Sequence, residues 1–591
     1  MTAVRYSEEM KKTGFIFAMG VISGCLVPAA LGRQATFKDY AVAADHPQAS
    51  AAGAEILAAG GNAVDAAVAT SFALSVVRPA SCGIGGGGFM VIHLTEKHAK
   101  GRRDVAINYR ETCPQGVGPD FYKDKPERAS RLGGAAVGVP GTVAGLLTAL
   151  EKYGTMTPAQ VLAPAIRLAE GGFSADETHM RGVKGALEKL EKDEALAKAC
   201  REFARQHLRG PHGEAIVNGS TVVAPDQART LRRIASEGRS GFYAGPVAAA
   251  MVAAAAETGG VLTLADFSDY RVQELAPLIG SIGKGRTVIT MPPPSSGGIV
   301  LLQTIGVMQR LKTRLEPTGG MGEHNSTRYV HFLAECFSHS FADRARLLND
   351  PSCAGCPSVE TQMLISADVM DDRVRLIESN HRGDAAMYGV PAPAGAVKND
   401  GGTSHLSVVD TWGNAVACTE TINLAYGSYV CTPQWGVLLN NEMDDFTTHV
   451  DKPNAFGLRQ SERNLPSPGK RPLSSMTPTI VVDEQGVLCV VGGSGGPRII
   501  TATAQAVMRV VEFDLSALEA TGLPRIHQQW SPDRLEVEKG MFGRDATSEL
   551  RELGHHVEPA KEAAAVQVIR RVKGGWDAAS DPRKGGRPAG T

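Results

Sequence analysis

Sheets layered between helices are the architecture this sequence predicts, and three observations predict it. Alanine-rich helical stretches occupy the first part of the chain, paired apolar hairpins lie in the later part, and glycine-rich turns join them. Glycine is indeed abundant, 67 of 591 residues, with no collagen period. Hydrophobic residues make up 43% and charged residues 21%, the values of a chain with a substantial core, which excludes wholesale disorder. Lys and Arg number 61 against 62 Asp and Glu, a net charge of −1. That balance argues against a nucleic-acid or anionic-membrane binder, either of which would show a basic excess.

The elements follow in order. Residues 14–32 carry no charge and stand after Lys11 and Lys12, the basic start and short apolar run of a secretory signal. Ile22-Ser23-Gly24-Cys25 also fits a lipoprotein box with Cys25 as the lipidated residue. Either way residues 1–33 read as a leader, and the protein is expected in the periplasm or outside the cell. Ser50 to Val77 reads as two helices broken at Gly60-Gly61. In the second, Val64, Val68 and Phe72 mark one buried face and Asn62 is the N-cap. Phe89 to Ile92 is strand-like. Thr142 to Lys152 is a helix stopped by Gly154, and Thr157-Pro158 opens another with proline at its first position. Residues 180–210 are charged and helical, a solvated face.

Met291-Pro292-Pro293-Pro294-Ser295-Ser296-Gly297-Gly298 predicts a rigid turn leading into an apolar helix from Ile299. From Glu378 to Gly402 the apolar periodicity fades into a loop rich in Pro, Gly, Asn and Asp. Ser404–Asp410 and Asn414–Thr421 then form one hairpin, Thr479–Asp483 and Val487–Val491 a second, and Pro497–Phe513 a long helix. Cys353 and Cys356 form the only CxxC, with no second pair or nearby His pair to complete a zinc site. They read as a local disulfide or two loop thiols, while Cys418 and Cys489 read as small core residues.

Three motifs carry chemistry. Gly83-x-Gly85-x-x-Gly88 satisfies the dinucleotide fingerprint in form, but a strand-like run follows where a helix is required, so a tight turn is expected. Gly492-Gly493-Ser494-Gly495-Gly496 matches a hydrolase nucleophile elbow between strand and helix. Asp514 or Asp533, then His555 or His556, would complete its order. The same glycines could instead offer the unpaired amides of Gly495 and Gly496 to an oxyanion. The third is Asp400-Gly401-Gly402-Thr403-Ser404, where a threonine opens a strand after a glycine loop. If the Gly402–Thr403 peptide is cut, Thr403 holds both a hydroxyl and a free α-amine able to take its proton. Such an amine titrates near ~8.

The stretch from Gly402 to Phe446 holds GTSHLSVVD, Gly413-Asn414-Ala415-Val416, Thr419-x-Thr421-x-Asn423 and LLNNEMDDF. It strongly resembles the gamma-glutamyltransferases (gamma-glutamyltranspeptidases). So do GNAVDAAVA from Gly61, GIGGGGFM from Gly83, YRET from Tyr109 and PGTVAG from Pro140. MPPPSSGGI from Met291, KRPLSSMTPT from Lys470, GGSGGPRII from Gly492 and SDPR from Ser580 continue the likeness in the family's order. The resemblance implies an α+β fold, the four-layer αββα sandwich of the N-terminal-nucleophile hydrolases. It implies one precursor cut into a large chain, 34–402, and a small catalytic chain, 403–591, that stay together as a heterodimer.

The resemblance also implies roles. Thr403 is the nucleophile for cleavage after Gly402 and for turnover of glutathione and related γ-glutamyl compounds, with an amine, a peptide or water as acceptor. Thr421 holds its hydroxyl, and the Gly495 and Gly496 amides face the oxyanion. The substrate's α-carboxylate suits Arg110, Ser474 and Ser475, and its α-ammonium suits Asn423, Glu442 and Asp445. No step asks for a metal or an organic cofactor. Ser404 stands where many members have a second Thr, and Phe456, in the lid-like loop 447–458, stands where bacterial relatives often have Tyr. The alternatives are a cephalosporin or glutaryl acylase of the same fold, an inactive homologue acting as a binding protein, and a serine hydrolase built on Ser494.

Overall fold

Alternation along the first hairpin decides the architecture. On Gly401–Val409, Leu406 and Val408 join one apolar layer and Val409 another. On Ala415–Leu424, Val416 and Cys418 take the first face, and Ala415 and Ala417 the second. With both faces apolar, neither can be left in water, so the hairpin must lie between two covering layers. The structure is a computed structural model, and it describes residues 34–353, 355–356, 359–388, 401–450, 452–541, 544–560 and 564–591. The leader reading of residues 1–33, Cys25 included, and positions 389–400 of the expected loop lie outside the described residues.

Two seven-stranded sheets result. The first runs Ala589–Gly590, Ala41–Ala44, Gly401–Val409, Ala415–Leu424, Gly87–Leu94, Arg103–Asn108, Gln273–Leu275. The second runs Gln34–Phe37, Gly575–Ser580, Ala565–Val572, Gly486–Ser494, Thr479–Asp483, Thr287–Thr290, Leu278–Ser281. All neighbours in both are antiparallel. Phe89, Val91, Ile289, Ile480, Val490 and Ile569 fill the space between the sheets. Helices Pro47–Ala58, Ala63–Val77, Thr142–Tyr153 and Pro158–Gly171 cover the first sheet. Gly297–Leu315, Thr327–Leu347, Arg498–Val511 and Ala517–Gly522 cover the second. This is an α+β, four-layer αββα sandwich, and each sheet mixes strands from before and after Thr403.

Local chemistry accounts for the boundaries. Asn62 caps Ala63–Val77 by accepting from the Val64 and Asp65 amides, and the Asp65 carboxylate accepts the Asn62 amide at 2.8 Å, a reciprocal capping box. Thr157 and Gln160 repeat the device, with Pro158 in the first turn. The glycines of 83–88 make a tight turn into the strand Gly87–Leu94, not a nucleotide loop. A Cβ on Gly86 would stand 2.1 Å from the Thr421 carbonyl oxygen, so only glycine lets the turn lie against that strand.

The charged region 180–210 is not simply a solvated face. Its helices Glu177–Glu191 and Arg201–His207 bury Val183, Ala186, Leu190 and Phe203 against Tyr426 and Tyr429, with Phe203 stacked on Tyr429 at 4.4 Å between centroids. The apolar positions sit three and four apart, and the many charges between them hid the stripe. Cys353 and Cys356 are joined as a disulfide, and Cys418 and Cys489 are buried free thiols. Among the described residues no helix is long and apolar enough to cross a membrane.

Glu420 points from the hairpin into the helical layer, where it accepts from Ser71 Oγ and, at 3.1 Å, from Tyr109 Oη. Burial pushes its carboxyl from the ordinary 4.5 up to about 7, against the pull of those two donors. A carboxyl pKa raised by folding favours the folded state while the group is protonated. Its contribution is complete below pH 4.5 and is lost as pH rises through about 7. Replacing Glu420 with Gln should remove on the order of 3 kcal/mol of this dependence. The check is the urea midpoint at pH values on either side of that window, which should fall less steeply in Glu420→Gln than in the unmodified protein.

Candidate active site

Thr403 sits where the hairpin register shifts: Gly402 pairs with Asn423, and Thr403 with Thr421. The two threonines therefore face each other on the inner side of the sheet, Oγ1 to Oγ1 at 3.1 Å. Thr421 Oγ1 donates to the Gly402 carbonyl at 2.6 Å and accepts from the Asn423 amide at 2.8 Å. A hydroxyl has one proton to give. With that of Thr421 committed to Gly402, the Thr403 hydroxyl is the donor between the two.

Lys584 Nζ donates to the Thr403 carbonyl. The same ammonium reaches Ser494 Oγ at 3.2 Å and pairs with Asp45 at 2.7 Å. Asp45 also accepts from the His405 amide at 3.3 Å and from Gln567 Nε2 at 2.6 Å. Arg525 and Arg583, both on Asp581, anchor the turn that carries Lys584. Ser494 is thus bonded to a lysine. The acids and one histidine that would have completed an elbow are engaged elsewhere, Asp514 with Arg570, Asp533 with Arg382 and His555 with His331, and His556 is exposed. The geometry does not assemble a Ser494 triad.

Beside the threonines lies a buried charge cluster. Arg110 donates to Glu442 through Nη1 and to Asp445 Oδ2 at 2.6 Å through Nη2. Its Nε reaches the Pro472 carbonyl at 3.3 Å. Glu442 and Asp445 share one turn of 3-10 helix, Glu442–Asp445, which aims both carboxylates at the guanidinium. Asn464 and Gln460 fix the Asp445 carbonyl at 2.7 Å and 2.9 Å. Ser474 is strung on the proline turn: its amide donates to Pro294, and its carbonyl accepts from Ser296 N and Oγ. Asn423 donates its side-chain amide to the Asn441 carbonyl at 2.9 Å.

Burial dominates the electrostatics. It raises Glu442 well above the usual carboxylate range, and raises Asp445, against the pull of Arg110 on both. Glu111, fully buried beside Arg110, is pushed by burial up to about 7, against the pull of Arg110. Arg344, which donates to Ser296 Oγ at 2.9 Å, is lowered by burial to about 10, with Asp445 opposing that shift and Arg110 adding to it.

A narrow cavity of about 20 Å³ joins these groups. Of the residues nominated from the sequence, Arg110, Thr403, Thr421, Asn423, Glu442, Asp445, Ser474, Ser475 and Gly496 all line it. Gly402 and Gly495 are their immediate chain neighbours. Gly495 and Gly496 link the strand Gly486–Ser494 to the helix Arg498–Val511, where amides lack intrahelical partners. Gly496 has φ +59°, and a Cβ there would stand 2.7 Å from the Phe456 ring, which closes the cavity from the lid-like loop.

Lys584, Asp45, Ser296, Glu111 and Arg344 were not nominated from the sequence. Ser296 and Glu111 lie inside recognised motifs, and Lys584 follows SDPR directly, so a signal existed for these. Arg344 lies in the helix Thr327–Leu347 among other charges and offers none.

The gamma-glutamyltranspeptidase family model matches residues 49–591. The glutathione hydrolase proenzyme of Pseudomonas sp. (strain A14) is 38% identical over 552 residues, covering 91% of each chain. That of Escherichia coli (strain K12) is 35% identical over 551 residues, covering 92% of this chain and 90% of its own. Among solved structures, a cephalosporin acylase from Bacillus halodurans superposes with a TM-score of 0.80 at 25% identity, over 94% of this chain and 97% of its own. Sandwich, threonine pair and matched length agree: the chain belongs to the gamma-glutamyltranspeptidase family.

Proposed function

We propose that this protein is made as a precursor, cuts itself between Gly402 and Thr403, and then transfers or hydrolyses γ-glutamyl groups through an acyl-enzyme on Thr403, with glutathione among its donors. The names of its relatives, glutathione hydrolase proenzymes, support the substrate class and the processing. The observation that carries the chemistry is the threonine pair, with Thr421 bonded at once to the Thr403 hydroxyl and the Gly402 carbonyl.

In maturation the Thr403 hydroxyl attacks the Gly402 carbonyl carbon. The C–N bond breaks, an ester forms on Thr403 Oγ1, and the nitrogen takes up the proton lost by the hydroxyl and leaves as the Thr403 α-amine. Thr421, already donating to that carbonyl, stabilises the charge developing on its oxygen. Water then hydrolyses the ester, leaving a carboxylate on Gly402 and the hydroxyl on Thr403. The large chain, 34–402, and the small chain, 403–591, remain together because each sheet is built from both.

In turnover the α-amine takes the hydroxyl proton as Thr403 attacks the γ-amide carbonyl. The oxyanion faces the Gly495 and Gly496 amides. Its collapse expels the amine, which carries away the proton, and leaves a γ-glutamyl ester. Water or a second amine then takes the acyl group. Arg110 with Ser474 and Ser475 receives the α-carboxylate, and Glu442, Asp445 and Asn423 receive the α-ammonium. An amino-acid zwitterion brings one charge of each sign, so it can interpose between Arg110 and its acids without leaving a buried charge unpaired.

The fold similarity to a cephalosporin acylase favours a second reading, in which the acyl group lacks the ammonium. The buried acids Glu442 and Asp445 favour γ-glutamyl.

Two outcomes are expected. Purified protein should show two polypeptides, the smaller starting at Thr403 by intact-mass and N-terminal sequencing, while Thr403→Ala stays a single chain. An uncut yet active protein would overturn the reading. Second, Asp445→Ala should lower kcat/KM for a γ-glutamyl anilide roughly 10- to 100-fold, the scale of one lost charged hydrogen bond, while a glutaryl anilide is affected far less. Equal effects on both would move the substrate class to the acylases.

A further inference from the structure

Cys353 and Cys356 take no part in the chemistry above, yet they are joined as a disulfide beside the active site. Resting on the proposed function for the role of Ser474 and Ser475, we propose that this disulfide is a thiol-exchange site. Low-molecular-weight thiols such as glutathione open it, and its opening loosens the segment that receives the substrate's α-carboxylate.

Accessibility singles out this pair. Cys353 and Cys356 are half-buried, and Pro351, Ser352 and Gly355 around them are exposed. The other seven cysteines among the described residues are buried free thiols. Burial pushes Cys82 and Cys489 up to about 12 and Cys200 to about 11, far from the thiolate form that exchange needs. The cross-link also spans a sequence separation of only 3. A disulfide restrains the unfolded chain more the longer the loop it closes. This one therefore adds little to the fold as a whole, and its loss is felt locally.

One buried carboxylate ties the cysteine turn to the active site. Asp350 is fully buried. Its Oδ1 accepts from the Ser352 amide at 3.0 Å and from Ser352 Oγ at 2.6 Å, and its carbonyl accepts from the Cys353 amide at 3.4 Å. Its Oδ2 accepts from the Arg471 amide at 2.8 Å. Arg471 opens the segment in which Pro472 and Leu473 offer their carbonyls to Arg110, at 3.3 Å and 3.4 Å. Ser474 and Ser475 follow and line the catalytic cavity. The disulfide thus fixes the turn, the turn fixes Asp350, and Asp350 fixes the start of the carboxylate-binding segment.

The exchange needs only thiols. A thiolate attacks one sulfur of the pair, the S–S bond breaks, and its electron pair leaves on the other sulfur. A second thiol resolves the mixed disulfide. The products are two cysteine thiols and the disulfide of the reductant, and the two protons lost by the reductant end on Cys353 and Cys356. Glutathione, a donor under the proposed function, is itself such a thiol, so the site responds to the compound that the enzyme consumes.

The test reduces the purified protein with dithiothreitol, removes the reductant, and compares it with untreated protein and with Cys353→Ser/Cys356→Ser. The expected result, in the reduced protein and the double variant alike, is a roughly tenfold rise in KM for a γ-glutamyl anilide with kcat within about twofold, the scale of one weakened hydrogen bond to a charged group. The double variant should not respond to dithiothreitol. An unchanged KM after reduction, or a double variant that responds as the unmodified protein does, would overturn the proposal. So would a disulfide that mass spectrometry finds intact after incubation in millimolar glutathione. If the unmodified protein transfers no γ-glutamyl group at all, the functional reading itself has failed. Hydrogen exchange then tests the link without turnover: faster exchange of the Arg471 amide on reduction supports it, and unaltered exchange overturns it.

Discussion

The pairing register of one hairpin is the constraint on which the site depends. Thr403 lies opposite Thr421 only because Gly401–Val409 and Ala415–Leu424 pair as they do, with a shift between Gly402 and Thr403. Side chains alternate along a strand, so a slip by one residue would turn Thr403 into the helical layer, where Ser404 and Glu420 now point. The slip is prohibited by the neighbouring side chains. Leu406 and Val408 would leave the outer core, and His405, held by Thr419 at 2.8 Å, would leave the inner one. The position of two hydroxyls is thus set by apolar burial along the whole hairpin. Lys584 then adds a bond to the Thr403 carbonyl that no strand neighbour supplies.

The charge cluster follows a different logic. Burying Arg110 with two carboxylates costs desolvation that their attraction repays only in part, and the raised Glu442 and Asp445 show the balance. Such a cluster is poor evidence of added stability and better understood as a recognition device. Its opposite charges satisfy each other in the cavity, and under the proposed function both keep partners when a zwitterion enters. Glu111, held near neutral pH by burial, keeps a protonatable group beside Arg110, so the cluster need not carry a third full negative charge.

Much of this was legible in the sequence, for reasons that are local. Asn62 and Thr157 announce their helices through capping chemistry that needs only three following residues. The two hairpins announce themselves by apolar runs flanking tight turns. The threonine after a glycine loop and nearly every other residue nominated with the motifs around it line one cavity. What was not legible depends on distance along the chain. Lys584 meets Thr403 across 181 positions, and nothing near either residue indicates the other. Arg344 looks like one more charge on a charged helix until that helix is laid on the Pro292–Gly298 turn. The 177–207 helices hid a buried stripe because charges outnumber apolar residues between the buried positions.

The interleaving of the chain bears on why a cut at Gly402 can be tolerated. Downstream of the bond, Thr403 to Val409 pair along their length with Ala415–Thr421, and Leu406 to Val409 also pair with Ala41–Ala44. Breaking the peptide between Gly402 and Thr403 therefore leaves the new chain end fastened on its hairpin partner, with its carbonyl held by Lys584. Upstream of the bond, Gly401 pairs with Leu424 and Gly402 with Asn423. Under the proposed function the nucleophile stays where Thr421 holds it, while the cut frees the Gly402 carboxylate from the amino side of Thr403. On that proposal, space for a substrate carbonyl is made next to the Thr403 hydroxyl, at a centre where the uncut chain leaves about 20 Å³.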